Sequence, residues 1–103
     1  MDSEEELMII SAECWNCDMP MLIALVGDEG GNFGYGPEEF TKNEQRLATK
    51  YGVLLKEVAS KTAEMKYLAN VCRHCNSFIG QYFYYAHYYT PALYGHYKYE
   101  IVR

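Results

Sequence analysis

Apolar residues cluster along this chain in short blocks separated by polar or glycine-rich breaks, and most blocks have the length of a strand. Leu7-Met8-Ile9-Ile10-Ser11-Ala12-Glu13 reads as one strand, and Met19 to Val26 as a second. That second block is the longest apolar run, at eight residues including Pro20. It has the length of a buried strand and is far too short to cross a bilayer. A loop over 27–37 follows, holding five of the eight glycines.

Beyond the loop the period lengthens. Pro37 suits the first turn of a helix, Glu38 and Glu39 suit its positive end, and Gly52 suits the position past its close, so residues 38–51 are expected to be helical. On that helix Phe40, Leu47, Ala48 and Tyr51 fall on one side, and Lys42, Arg46 and Lys50 recur on the other. Strand patterns then return over 53–60 and 64–71, as a hairpin, and over 78–85. In His96-Tyr97-Lys98-Tyr99-Glu100-Ile101 alternation points Tyr97, Tyr99 and Ile101 inward. Tyr82 to Tyr89, read as extended chain, would be aromatic on both faces, so one face must be covered by the rest of the fold or by another chain.

Half of the 103 residues are apolar and 22 % are charged, a globular composition with room for a single domain. The formal charge of −5 conceals an asymmetry. Residues 1–39 carry ten acidic groups and no lysine or arginine, whereas residues 40–103 carry nine basic groups and four acidic ones. This balance argues against an obligate, nonspecific nucleic-acid binder, which needs a clustered positive face. The acidic front either keeps the chain soluble or meets a basic partner.

The chemistry-bearing residues are the cysteines. All four fall in two Cys-x-x-Cys pairs, Cys14-Trp15-Asn16-Cys17 and Cys72-Arg73-His74-Cys75. Such a pair lets one tight turn aim two sulfurs at a single point, and two pairs supply the tetrahedral thiolate shell that structural zinc takes. Two disulfides, or a redox-active pair, are the competing readings. The first needs an oxidising compartment, and the opening Met1-Asp2-Ser3-Glu4-Glu5-Glu6 has no basic segment of a secretory signal. A cytoplasmic location is therefore expected. The redox reading needs a βαβ surround that neither pair has. Asp18 and Asn76 follow the second cysteine of each pair, where positive φ is often required and where Asp and Asn are well tolerated.

Zinc ligation by Cys14, Cys17, Cys72 and Cys75 sets the expected fold. It is an α+β zinc ribbon with two knuckles on β-hairpins, an antiparallel sheet and one inserted helix at about 38–51. One domain spans 1–103, with a helix-and-hairpin insertion over 27–66 between the knuckles. Four cysteines close the coordination shell, leaving no open position for catalysis, so no enzyme is expected. Nothing else in the sequence supplies a catalytic set. Asp28 and Glu29 sit on a glycine-rich tip, the loop lacks a phosphate-binding Gly-Lys-Ser/Thr ending, and His74, His87 and His96 lack partners at catalytic spacing.

The strings Cys-Trp-x-Cys and Tyr67-x-Ala69-Asn70-Val71-Cys72-x-His74-Cys75, continuing to Gly80-x-Tyr82-Phe83, resemble a group of small bacterial and bacteriophage zinc-ribbon proteins. The resemblance covers mainly residues 7–26 and 58–85. It implies that the four cysteines ligate zinc and that the source is bacterial or viral; it implies no activity.

Eight of eleven tyrosines lie between Tyr82 and Tyr99. Tyrosine offers rigid contact area with a polar tip, so Tyr82, Tyr84, Tyr85, Tyr88 and Tyr89 are candidate partner contacts, against internal packing as the plain alternative. The expected function is a non-enzymatic protein-binding module that docks on a larger host or bacterial complex, such as a phage inhibitor of defence or transcription machinery. The alternative is nucleic-acid binding, with Lys42, Arg46 and Lys50, joined by Lys56 and Arg73, on phosphates and tyrosines stacking on bases. No membrane partner is expected, and self-association through the tyrosines stays open.

Overall fold

A computed structural model describes residues 6–27, 30, 33–59, 66–80 and 85–102, with backbone only at Tyr85. It is a small α+β fold of two antiparallel sheets with two helices. The larger sheet has the order β3-β2-β1-β6, formed by β1 (Leu7–Glu13), β2 (Pro20–Gly27), β3 (Phe33–Tyr35) and β6 (Lys98–Val102). The smaller pairs β4 (Leu55–Ala59) with β5 (Lys66–Asn70).

β1 is the central strand, and its sequence shows why. Leu7 to Ile10 are apolar at every position, the mark of a strand covered on both faces. Leu7 and Ile9 enter one cluster with Ala24, Phe40, Ala48, Val53 and Val102. Met8, Ile10 and Ala12 enter another with Ile23, Leu25, Ile79, Tyr88, Tyr89 and Ala92. The sheet thus has α1 (Lys42–Lys50) on one side and the helical segment 85–93 on the other. Register is firm: Ile10 faces Ile23 on β2 and Tyr99 on β6.

The expected helix over 38–51 arrives in two pieces. Pro37–Glu39 make a single 3-10 turn, the chain straightens at Phe40, and α1 starts afresh from Thr41. A capping box restarts it. Thr41 accepts from the Glu44 N–H, and Glu44 accepts from the Thr41 N–H at 2.8 Å. Buried Glu44 also accepts from the Tyr35 hydroxyl at 2.6 Å, so both of its carboxyl oxygens are hydrogen-bonded. Gly52, at φ +92°, ends α1; its N–H and that of Val53 reach Thr49 and Ala48 carbonyls.

The tyrosine segment departs from its expected form. Of the strand expected over 78–85, residues 78–80 show only an isolated bridge from Phe78 to Val71, Tyr85 is helical, and 81–84 lie outside the described residues. Tyr85–Tyr89 form a wide π-helical turn that runs into α2 (Thr90–Leu93). The aromatic residues favour strands locally, but packing decides otherwise. Helical winding gathers Tyr88, Tyr89 and Ala92 on the sheet while leaving Ala86 and His87 outside, and Pro91 is admissible only in a first helical turn. The final strand does follow its alternation, with Tyr99 and Ile101 half-buried and Lys98 and Glu100 exposed.

One further difference concerns the insertion. The loop over 27–37 contains β3, which extends the main sheet, while Asp28 and Glu29 lie outside the described residues. Asn70, at the end of β5, is wholly buried and holds the two sheets together. Its side chain accepts from the Ala24 N–H at 2.9 Å and donates to the Ala24 carbonyl at 3.1 Å, taking the place of a neighbouring strand.

Candidate metal centre

Each cysteine pair sits at the end of a hairpin arm. β1 delivers Cys14 and β2 leaves Cys17; β5 delivers Cys72, and the Val71–Phe78 bridge closes the turn behind Cys75. The two turns have one backbone. Cys14 N–H donates to the Met19 carbonyl at 2.9 Å, and Asp18 N–H to the Cys14 carbonyl at 3.0 Å. In the second turn Cys72 N–H donates to the Ser77 carbonyl at 2.9 Å, and Asn76 N–H to the Cys72 carbonyl at 2.8 Å. Asp18 and Asn76 have φ of 62° and 64°, the left-handed conformation expected for them.

These turns bring all four sulfurs within 4.8 Å of one another, although 54 residues separate Cys17 from Cys72. Cys14 Sγ lies 3.6 Å from Cys75 Sγ, and Cys17 Sγ lies 3.6 Å from Cys72 Sγ. A tetrahedral ion bound to sulfur at about 2.3 Å requires sulfurs about 3.8 Å apart, so the cluster fits a four-coordinate metal. A disulfide would need about 2 Å, and all four cysteines are free.

The surroundings favour thiolates. Asn16 N–H points at Cys14 Sγ and His74 N–H at Cys72 Sγ, each at 3.4 Å. The Ser77 hydroxyl, then its N–H, lower the Cys75 thiol to about 6. Cys17 behaves oppositely. The Met19 N–H favours its thiolate, but loss of water and hydrogen bonding with the other cysteines outweigh that and push it up to about 12. The difference is local: Ser77 supplies donors to Cys75, whereas Cys17 loses water and shares hydrogen bonds with the other sulfurs.

The knuckles also grip one another directly. Asn16 Nδ2 donates to Ser77 Oγ at 2.8 Å, and the Trp15 indole N–H donates to the Phe78 carbonyl at 3.2 Å. On the second knuckle, Arg73 donates to the Gly52 carbonyl at 2.6 Å and so ties the site to the end of α1. The roles of Asn16, Ser77, Asn70 and Arg73 were invisible in the cysteine spacing, because each depends on a partner distant in sequence. His74 is exposed and stands outside the sulfur cluster.

The other candidate residues scatter. Tyr88 and Tyr89 are 2 % and 1 % exposed, so these two are core residues and not a contact surface. Tyr89 packs edge-on against Phe33 with centroids 5.3 Å apart, and Tyr88 stacks on Tyr97 at 5.8 Å. Tyr82 and Tyr84 lie outside the described residues, and Tyr85 is described only in its backbone. Lys42, Arg46 and Lys50 are all exposed on α1. Among the described residues the exposed large apolar side chains are instead Trp15 at 52 %, Met19 at 44 %, Tyr51 and Tyr94. Trp15 and Met19 both belong to the first knuckle. Among the described residues no helix is long and apolar enough to cross a membrane.

Fold and site together define a small α+β protein organised around a clustered four-cysteine site compatible with a metal ion. Set against known proteins, the chain matches no family model, no curated protein and no solved structure.

Proposed function

We propose that the four cysteines bind one structural zinc ion, that the fold is a zinc ribbon with a helix-and-hairpin insertion, and that the protein is a non-enzymatic docking module. The observation carrying this is the closed sulfur shell, with cross-shell distances of 3.6 Å. Four thiolates saturate a tetrahedral ion and leave no position for a reacting water, which favours a structural over a catalytic metal. Tetrahedral sulfur sites take zinc or iron, and elemental analysis with an absorption spectrum separates a colourless zinc protein from a coloured iron one. Zinc at one per chain is the expected result; purified protein without metal overturns the proposal.

Docking is supported by the exposed Trp15 and Met19 on a turn the metal would hold rigid. In a bacterial or phage setting the partner is a larger complex, and the module acts by occluding or recruiting it. Affinity capture from the native host, with wild type against Trp15→Ala, tests this. A partner retained by wild type and lost by the variant supports docking through the knuckle; equal capture by both removes the knuckle from it.

The exposure of Lys42, Arg46 and Lys50 along α1 favours nucleic acid as the second reading. Binding to short DNA or RNA that falls steeply with salt and is lost in a triple alanine variant supports it; no binding at physiological salt removes it.

A further inference from the structure

Beside the first knuckle lies a hollow of about 220 Å³ whose lining is unusually suited to a cation. The exposed indole of Trp15 and the half-buried ring of Tyr97 line it over the buried Tyr88, together with Glu13, Asp18 and His87. Aromatic faces attract cations through their quadrupole, and carboxylates add direct charge. The volume admits a guanidinium or ammonium head and excludes a folded segment.

The lining is fixed in place from several directions. Tyr88 and Tyr97 are stacked, 29° from parallel. The Tyr88 hydroxyl donates to the Glu13 carbonyl at 3.0 Å, so the buried ring and the strand end that carries one carboxylate move together. The Trp15 indole is anchored to the Phe78 carbonyl yet remains half open to solvent. Anchoring a large ring while leaving it uncovered reduces the ordering cost of a contact made there.

Charge points the same way. Glu13 and Asp18 are exposed, and neither forms an ion pair among the described residues. Cys14 also lines the hollow, and four thiolates around a divalent ion leave a net charge of about −2 behind this wall. The exposed basic side chains Arg73 and Lys56 are engaged elsewhere, at Gly52 and Asn76.

We propose that this hollow receives one arginine side chain from a basic segment of a protein partner. Arginine fits better than lysine, since its flat guanidinium can stack on an indole while forking to carboxylates. The proposal rests on the docking reading and names the chemistry of the partner.

Trp15 is the only tryptophan, so its emission reports on the site directly. The metal-loaded full chain is titrated at pH 8 and low salt with an acetylated, amidated glycine–arginine peptide. The control is the same peptide with citrulline, which keeps the shape and removes the charge. A saturable change in Trp15 emission is expected, at least tenfold weaker with citrulline and weakened by salt. Glu13→Gln combined with Asp18→Asn should weaken binding at least tenfold at unchanged metal content. A flat titration, equal binding of the citrulline peptide, or full binding by the double variant each overturns the proposal. Partner capture that persists alongside a flat titration leaves docking standing without this hollow; loss of both removes docking as well.

Discussion

The two knuckles run the same backbone and present opposite faces. Both turn through a left-handed residue, close with the same pair of main-chain bonds and offer an N–H to their first sulfur. The first nevertheless displays Trp15, Asp18 and Met19, aromatic, acidic and apolar, on a tip open to solvent. The second carries Arg73 and Asn76, whose side chains are bonded to Gly52 and Lys56. Sulfur geometry therefore constrains the cysteines and the residue after each pair, and leaves the other tip positions free to take on separate tasks. The first tip is aromatic, apolar and acidic, while the second ties its polar side chains to the end of α1 and to β4.

The largest expected effect ignores this division. Cys14→Ser and Cys72→Ser should be equally severe, since each leaves three thiolates around an incomplete shell. Structural metal binding is worth on the order of 10 kcal/mol, so either change should remove the metal and melt the domain. Metal content and a thermal melt measure both. A variant that unfolds from one knuckle only would break the equivalence of the two halves. Acid would act on the same bonds: protons compete for thiolates, so the proposed metal should be retained at neutral pH and released as the pH falls, as metal content across a pH series would read.

Next comes the joint between the sheets. Asn70→Ala removes the side chain that satisfies both Ala24 backbone groups inside the core. The stranded N–H and carbonyl should cost about 2–4 kcal/mol in urea unfolding, with one metal per chain still bound. Loss of metal in this variant would show that the second knuckle depends on Asn70 for its position, and would sharpen the contrast with the first.

How far such features could be read in advance depends on the range of the forces involved. The strands on both sides of the first cysteine pair and the one leading into the second, the four-sulfur cluster, and the left-handed Asp18 and Asn76 are local consequences of apolar runs and turn chemistry, and all were legible. The helical form of 85–93 was not. Tyr88 and Tyr89 have strand-like propensity, and only their burial against Ile10, Leu25 and Phe33 selects the wound form. The break at Phe40 was hidden for a different reason: Thr41 and Glu44 spell a capping box, but the preceding Pro37-Glu38-Glu39 is an equally good helix start. Asn70 looked like an ordinary strand residue, because its partner Ala24 lies 46 positions away.

A smaller change separates the knuckles. Tyr88 bonds to the first, donating to the Glu13 carbonyl and accepting from the Trp15 backbone N–H. Tyr88→Phe should cost about 1 kcal/mol and shift Trp15 emission with the metal retained. The phenol also sets an alkaline limit. Burial first, then the charges of Tyr97, Cys14 and Glu13, push Tyr88 from 10.0 up to about 12. A raised value means the folded state holds the proton more tightly, so this contribution is full below pH 10 and is lost as the pH rises toward 12. Alkaline unfolding of the Tyr88→Phe variant should show a weaker fall across that window.

The smallest effect tests the shared backbone itself. At φ near 60° an L-residue strains its Cβ against the following carbonyl, which Asp18 and Asn76 tolerate better than alanine. Alanine at either position should cost about 1 kcal/mol. Glycine relieves the strain but widens the unfolded ensemble by a comparable amount, so Asp18→Gly and Asn76→Gly should each stay within about 0.5 kcal/mol of wild type. If the two turns are equivalent, the alanine penalties match. A larger penalty at Asn76 would measure what its bond to Lys56 adds, and would mean that the anchored knuckle draws part of its rigidity from β4 as well as from the sulfurs.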